Sequence, residues 1–244
     1  MKIKKRLDQK LQELLPEVSR NQIASMVIQG NVKVDDKTIT KPGFQVTDES
    51  KIDFKFEEPK FVSRAGFKLE KALGYFKIDV KNLVALDAGI STGGFTDCLL
   101  QSGAKKVYGV DVGYGQVHEK LRKDNRVEII ERTNLRELKE LPEKVDLVTL
   151  DLSFISVLKV MDAVVHLMKD TAQLIVLIKP QFEAKKEQVG KGGLIKDSKI
   201  HEEVINNVTQ GIKKSGFELI GVIESPILGS TGNKEFLAYF QKIK

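Results

Sequence analysis

The stretch Val84-Ala-Leu-Asp-Ala-Gly-Ile-Ser-Thr-Gly-Gly-Phe-Thr96 constrains this chain more than any other. An apolar run leads into a bend with three glycines, then into an amphipathic segment containing Leu99 and Leu100. That is the pattern of a buried parallel strand, a tight turn and a helix. Gly89, Gly93 and Gly94 let a ligand approach the backbone. Thr92 or Thr96 is placed to cap the helix, whose N-terminal amides face that ligand. The spacing G-x-x-x-G-G differs from the dinucleotide pattern and lacks the Gly-Lys-Ser/Thr of a phosphate-binding loop. It suits a nucleoside ligand without a pyrophosphate. A glycine turn alone is also compatible with an ordinary strand–helix connection.

A second feature narrows the choice. The next apolar run, Val107-Tyr-Gly-Val110, ends in Asp111, roughly 20 residues past the first glycine, where such folds bind ribose hydroxyls. Asp87, at the end of the first strand, is a second acid framing the same nucleoside. We read the pair as an S-adenosylmethionine site. A nicotinamide cofactor is the weaker alternative, because the pyrophosphate fingerprint is absent.

A chain of 244 residues holds one medium domain plus a small one, and 41% hydrophobic content is enough for a core. No apolar run approaches the roughly 18 residues of a membrane span. The basic start Met1-Lys-Ile-Lys-Lys-Arg6 has no apolar stretch behind it, so no secretory signal is expected and the location is cytoplasmic by default. The single cysteine, Cys98, excludes an internal disulfide framework and reads as a small buried residue. Three histidines without ligand spacing argue against a protein-held metal. A net charge of +6 favours a polyanionic partner.

Residues 1–57 read as a separate module. Leu7, Leu11, Leu14 and Leu15 share one helical face, and Pro16 ends that helix. Ser19 caps a second helix, in which Ile23, Ala24, Val27 and Ile28 share a face, and Gly30 stops it. Short strands follow at Val32–Val34 and Ile52–Phe56, with a turn at Asp35-Asp36. This module resembles the small α-L RNA-binding domain of a ribosomal small-subunit protein, pseudouridine synthases and tyrosyl-tRNA synthetases. The resemblance rests on Arg6-Leu-Asp8, the Ser19-Arg20 helix start with Gln22-Ile-Ala24, and Gly30-Asn-Val-Lys-Val34. It implies RNA contacts from Arg6, Arg20, Gln22 and Lys33, and Arg20 and Lys33 are suited to a phosphate backbone. A short proline-containing linker over residues 58–62 then leads to the remaining chain, 63–244.

In that second part a helix over Ser63–Leu73 presents Phe67, Leu69, Ala72 and Leu73, and five apolar runs then alternate with helical ones. The pattern predicts an α/β doubly wound parallel sheet, Rossmann-like, with ligands at the carboxyl ends of the strands. Two final runs, Glu218–Ile223 and Phe236–Phe240, predict an antiparallel closing pair, the arrangement of class I S-adenosylmethionine-dependent methyltransferases. Ionisable residues stand at the strand tips: Asp151, Lys179 and Glu235, with Lys68 on the preceding helix. A lysine closing an apolar strand is costly unless paired, and a second lysine with two carboxylates supplies the partners.

Seven ordered motifs carry a resemblance over nearly the whole chain. They are Phe61-Val-Ser-Arg-Ala-Gly-Phe-Lys68, the Leu86–Thr96 turn, Gly109-Val-Asp-Val-Gly-Tyr-Gly-Gln116, Glu131-Arg-Thr-Asn134, Asp151-Leu-Ser-Phe-Ile-Ser156, Ile178-Lys-Pro-Gln-Phe-Glu183 and Gly232-Asn-Lys-Glu235. Together they resemble the TlyA family, proteins labelled haemolysins that are ribosomal RNA 2′-O-ribose methyltransferases related to the heat-shock methyltransferase FtsJ. The resemblance implies a Lys68, Asp151, Lys179 and Glu235 catalytic tetrad and a cofactor turn of Asp87, Gly89, Ser91, Thr92 and Gly93. It also implies Asp111 on the ribose and ribosomal RNA, or ribosomal subunits, as partner, with cytidine as the target base. Asn134 stands where many methyltransferases place an adenine-contacting aspartate and is suited to bond the adenine edge. Ile90 departs from the small residue usual in the turn, which puts cofactor fit in question.

The implied chemistry follows from what a poorly acidic ribose hydroxyl needs. Lys179 is the candidate general base, tuned by burial and by Lys68, with Asp151 orienting it. Glu235 would hold Lys68, and Lys68 would steady the developing alkoxide. The charged, glycine-rich stretch Gln181–Gly193 reads either as an RNA-facing lid or as a solvated loop. Three other functions compete: a pore-forming protein, a non-catalytic ribosome-assembly factor and a dehydrogenase.

Overall fold

The structure is a computed structural model that describes residues 4–28, 30–55 and 59–243. The chain falls into two compact units, Met1–Pro59 and Lys60–Lys244. Met1 to Ile3, Phe56 of the expected strand, Glu57, and Glu58 of the expected linker lie outside the described residues.

The first unit begins with β1 (Lys5–Arg6), α1 (Leu7–Leu14) and α2 (Arg20–Ile28). Ser19 and Gln22 form a reciprocal cap at the start of α2. The Gln22 N–H donates to Ser19 Oγ at 3.3 Å, and the Ser19 N–H donates to Gln22 Oε1 at 3.0 Å. β2 (Val32–Val34) and β3 (Lys37–Thr38) make a hairpin, with β5 (Ile52–Phe54) on the other side of β2. Asp35 and Asp36 both have positive φ, 50° and 63°, the twist a two-residue hairpin turn requires. β4 (Gln45–Val46) pairs with β1.

The core of this unit is Leu7, Leu11, Val18, Ile23, Met26, Val27, Val32, Val34 and Val46. Two expected faces are corrected. Leu14 is 50% exposed, and in α2 Met26 takes the inward position while Ile28 is 61% exposed. Both exposed residues are the last of their helices.

The second unit opens with Phe61, 3% exposed, so packing begins inside the stretch assigned to the linker. α3 (Ala65–Phe76), β6 (Val84–Ala88), α4 (Gly94–Gln101), β7 (Lys106–Val110), α5 (Glu119–Arg122) and β8 (Val127–Ile130) form one half of the fold. β9 (Val145–Leu150), α6 (Met161–Leu167), β10 (Met168–Ile178), α7 (Pro180–Glu183), α8 (Ser198–Lys214), β11 (Phe217–Glu224) and β12 (Phe236–Lys242) form the other.

The sheet order is β11-β12-β10-β9-β6-β7-β8, parallel except for β12, which runs antiparallel to both β10 and β11. Alternate residues of each strand feed opposite cores, as the two-residue period of a strand demands. Leu174, Val176 and Ile178 meet α6 and α8, whereas Ile175 and Leu177 meet α3 and α4. Covering both faces explains why the central strands read as continuous apolar runs. On α3, Lys68 is buried with Leu69, Ala72 and Leu73. Phe67, expected inside, is 39% exposed and meets Phe61 edge to face, with ring centres 5.2 Å apart.

Candidate active site

The strand register brings three charged residues to one end of the sheet. Ala88 pairs with Leu150, Leu150 with Val176, and Ile178 with Phe236. Asp151 follows β9 by one residue, Lys179 follows β10 by one, and Glu235 precedes β12 by one. The Lys179 ammonium lies 2.7 Å from Asp151 Oδ1 and donates to Ser153 Oγ at 2.9 Å. Lys68 reaches in from α3, donating to Glu235 Oε2 at 2.5 Å. Lys68, Lys179 and Glu235 are 8%, 9% and 3% exposed. The buried ammonium groups are thus each matched by a carboxylate.

Beside them lies a cavity of about 480 Å³ that reaches from Asp151 and Ser153 past Gly89 to Asp111 and Asn134. Gly89 is required there twice over. Its φ is +85°, and a Cβ would stand 2.4 Å from the Asp151 carbonyl oxygen. The Asp111 carboxylate is held by two backbone donors, the Ser91 N–H at 2.8 Å and the Gly113 N–H at 2.7 Å. Asn134 caps the short helix Leu135–Glu137 through its own Oδ1, which accepts the Arg136 N–H at 3.2 Å.

Three expectations for the glycine turn need correction. Asp87 does not face the cavity. It is fully buried and accepts hydrogen bonds from Thr96 Oγ1 at 2.7 Å and Thr149 Oγ1 at 2.9 Å. Burial pushes its carboxyl up to about 6. Asp87 therefore ties β6 to α4 and β9 from beneath the turn.

No threonine caps α4: its N-cap is Gly93, at φ 97°, without a side-chain bond. A Cβ on Gly93 would meet Leu121 of α5 at 2.1 Å, so helix packing demands this glycine, and Thr92 is exposed. Ile90 points away from the cavity. It is 3% exposed and covers Gly109 of β7, where a Cβ would fall 2.2 Å from Ile90 Cδ1. The large residue in the turn is matched by a missing side chain in the neighbouring strand. Cys98 is 1% exposed, and burial pushes its thiol up to about 12, which leaves it unreactive.

Comparison with known proteins agrees with this geometry. Residues 61–242 match the FtsJ-like methyltransferase family. The chain belongs to that family. Residues 5–52 match the S4 domain. The FtsJ-like chain is 42% identical over 225 residues to Hemolysin A of Brachyspira hyodysenteriae, covering 91% of this chain and 93% of that one. It is 40% identical over 226 residues to the 16S/23S rRNA (cytidine-2′-O)-methyltransferase TlyA of Mycobacterium tuberculosis, covering 91% and 84% of the two chains. A solved structure described as a hemolysin from Streptococcus thermophilus superposes with a TM-score of 0.77 at 38% identity, covering 100% of this chain and 90% of that one. No helix among the described residues is long and apolar enough to cross a membrane.

Some residues of this FtsJ-like site received no role from the sequence. Ser153 accepts from Lys179; its signal was its place two residues after Asp151. Glu183 Oε1 accepts the Val157 N–H at 2.8 Å, stitching the segment after β9 to α7, and burial raises its carboxyl. Phe154, 90% exposed at φ 65°, borders the cavity and meets Phe182 with ring centres 5.0 Å apart.

The four residues expected to meet RNA sit in the S4 unit. Arg6 and Arg20 line one groove with Gln9 and Gln12, and Arg6 is paired to Asp8 at 2.6 Å. Lys33 is exposed on β2. The Gln22 side chain is turned back into its helix cap.

Proposed function

We propose that this chain transfers a methyl group from S-adenosylmethionine to a ribose 2′-hydroxyl of ribosomal RNA, with cytidine as the target named for its TlyA relatives. The observation that carries this reading is the pair of buried ion contacts, Lys179–Asp151 and Lys68–Glu235, at the end of the sheet beside the Asp111 cavity.

The residues present fit the cofactor. Gly89 leaves room where a side chain would collide with Asp151, and the fixed Asp111 carboxylate is suited to ribose hydroxyls. Ser91 and Gly113 hold that carboxylate, and Asn134 lines the adenine end. The turn from Gly89 to Gly93 sets the backbone, while Asp87 supports it from below. When bound, the cofactor supplies an electrophilic methyl on a positively charged sulfur.

Lys179 is the base. A neutral amine has two N–H donors and one lone pair. The ion contact with Asp151 and the hydrogen bond to Ser153 fix where the Lys179 nitrogen stands. From there Lys179 would accept the hydroxyl proton, while the cofactor would supply the methyl that the ribose oxygen receives. Lys68, fixed by Glu235, offers a positive charge to the developing alkoxide. The S4 unit brings the substrate, with Arg6, Arg20 and Lys33 on phosphates and counterion release supplying affinity. On this reading the protein works in the cytoplasm on RNA or subunits.

Labelled methyl transfer to ribosomal RNA and to isolated subunits tests the proposal, followed by mapping of 2′-O-methyl sites with and without the protein. Transfer to a cytidine ribose is expected. Absence of transfer to all of these substrates would overturn it.

A further inference from the structure

Asn233 lies two positions before Glu235 and is 1% exposed. Its side-chain amide bridges two loops. Oδ1 accepts the Ile195 N–H at 2.9 Å, and Nδ2 donates to the Gly193 carbonyl at 2.8 Å and to Thr231 Oγ1 at 3.0 Å. Its backbone carbonyl accepts the Gly229 N–H at 2.9 Å. A buried amide persists where its donors and acceptor are matched in this way.

The turn that Asn233 closes also encloses Glu235. A Cβ on Gly229 would lie 2.3 Å from Glu235 Oε1, and the Ser225 N–H donates to the Glu235 carbonyl at 2.9 Å. Glu235 is therefore boxed, with Lys68 on one carboxylate oxygen and the Gly229 backbone against the other. On its other side Asn233 grips the base of the Gly190–Ile195 loop, whose tip, Lys191 and Gly192, is exposed. His201 Nε2 holds the same base, 3.1 Å from the Ile195 carbonyl oxygen.

We infer that Asn233 is a positioning residue that fixes Glu235 against Lys68 and couples this pair to the Gly190–Ile195 loop. The inference deepens the methyl-transfer reading and rests on it for its kinetic consequence. Displacing a reacting group by about 1 Å costs up to roughly 100-fold in rate. Because Asn233 lies two residues from the ion pair and reaches it only through the turn, its loss acts on Glu235 placement.

Two variants separate positioning from simple loop anchoring. Asn233→Ala should lower kcat by about 10- to 100-fold, leave the KM for S-adenosylmethionine within about twofold, and speed amide exchange at Ile195. Gly229→Ala pushes directly on Glu235 and leaves the Asn233 side-chain bonds to Gly193, Ile195 and Thr231 in place. It should lower kcat to a similar degree with Ile195 exchange unchanged. Faster exchange in Asn233→Ala with unchanged kcat would overturn the inference, as would full activity of Gly229→Ala. If the wild-type protein transfers no methyl to any ribosomal RNA, the proposed function fails by itself. The nitrogen NMR signal of the Lys68 ammonium then decides the positioning claim: a shift in Asn233→Ala is expected, and an unmoved signal refutes it.

Discussion

The Lys68 ammonium and Glu235 Oε2 meet at 2.5 Å across 167 positions of chain, linking the first helix of the catalytic unit to the strand inserted late into its sheet. Removing one partner of such a buried pair strands the other charge and costs about 3–5 kcal/mol. Glu235→Ala and Lys68→Ala should each lower stability by that order in urea unfolding. The double variant Lys68→Met with Glu235→Leu should recover much of the stability yet remain inactive. An active double variant would show that the pair serves folding alone.

Lys179→Ala should reduce methyl transfer by at least about 100-fold, the lower range of a lost general base. Affinities for S-adenosylmethionine and RNA should stay near wild type, because the cavity wall at Asp111 and the S4 unit are untouched. Calorimetric titration and single-turnover transfer read the two effects separately. Normal turnover in this variant would remove Lys179 from the chemistry.

Asp87 makes stability depend on pH with a definite sign. Burial raises its folded-state pKa from 3.8 to about 6. Its favourable contribution is therefore complete below about pH 3.8 and is lost as pH rises through 6. The loss at neutral pH is about 3 kcal/mol. Urea unfolding from pH 4 to 7 should show a falling component that disappears in Asp87→Asn. Parallel curves for the two proteins would contradict the assignment.

Ile90 and Gly109 form a size-matched pair beneath the turn. Ile90→Ala should open a cavity and cost about 2–5 kcal/mol in stability, while cofactor affinity changes by less than about twofold. A large affinity change measured by titration would return Ile90 to the cofactor wall.

The large pattern was readable because apolar runs and strand tips carry strong signals. Leu147–Leu150 and Leu174–Ile178 are buried on both faces, so their ends stand out, and a lysine placed before Pro180 is conspicuous at such an end. The antiparallel closing pair followed from two further runs. Side-chain direction within the glycine turn was not readable. Asp87, Ile90 and Gly93 occupy successive parts of one motif, yet the sheet, not the cavity, receives the first two, and Leu121 demands the third. Periodicity also marks which residues of a helix share a face without saying whether anything covers it. Leu14, Ile28 and Phe67 share helical faces with buried residues and are themselves exposed. Gln22 shows a related limit, because a residue type suited to RNA is equally suited to closing its own helix.

The placement of β12 between β10 and β11 orders the birth of the site during translation. Lys68, Asp151 and Lys179 leave the ribosome well before Glu235, and the slot beside β10 must stay open until that strand arrives. In a nascent chain halted before Glu235, Lys68 lacks its carboxylate partner. The Lys68–Glu235 pair is therefore completed only once the chain up to the start of β12 has been made.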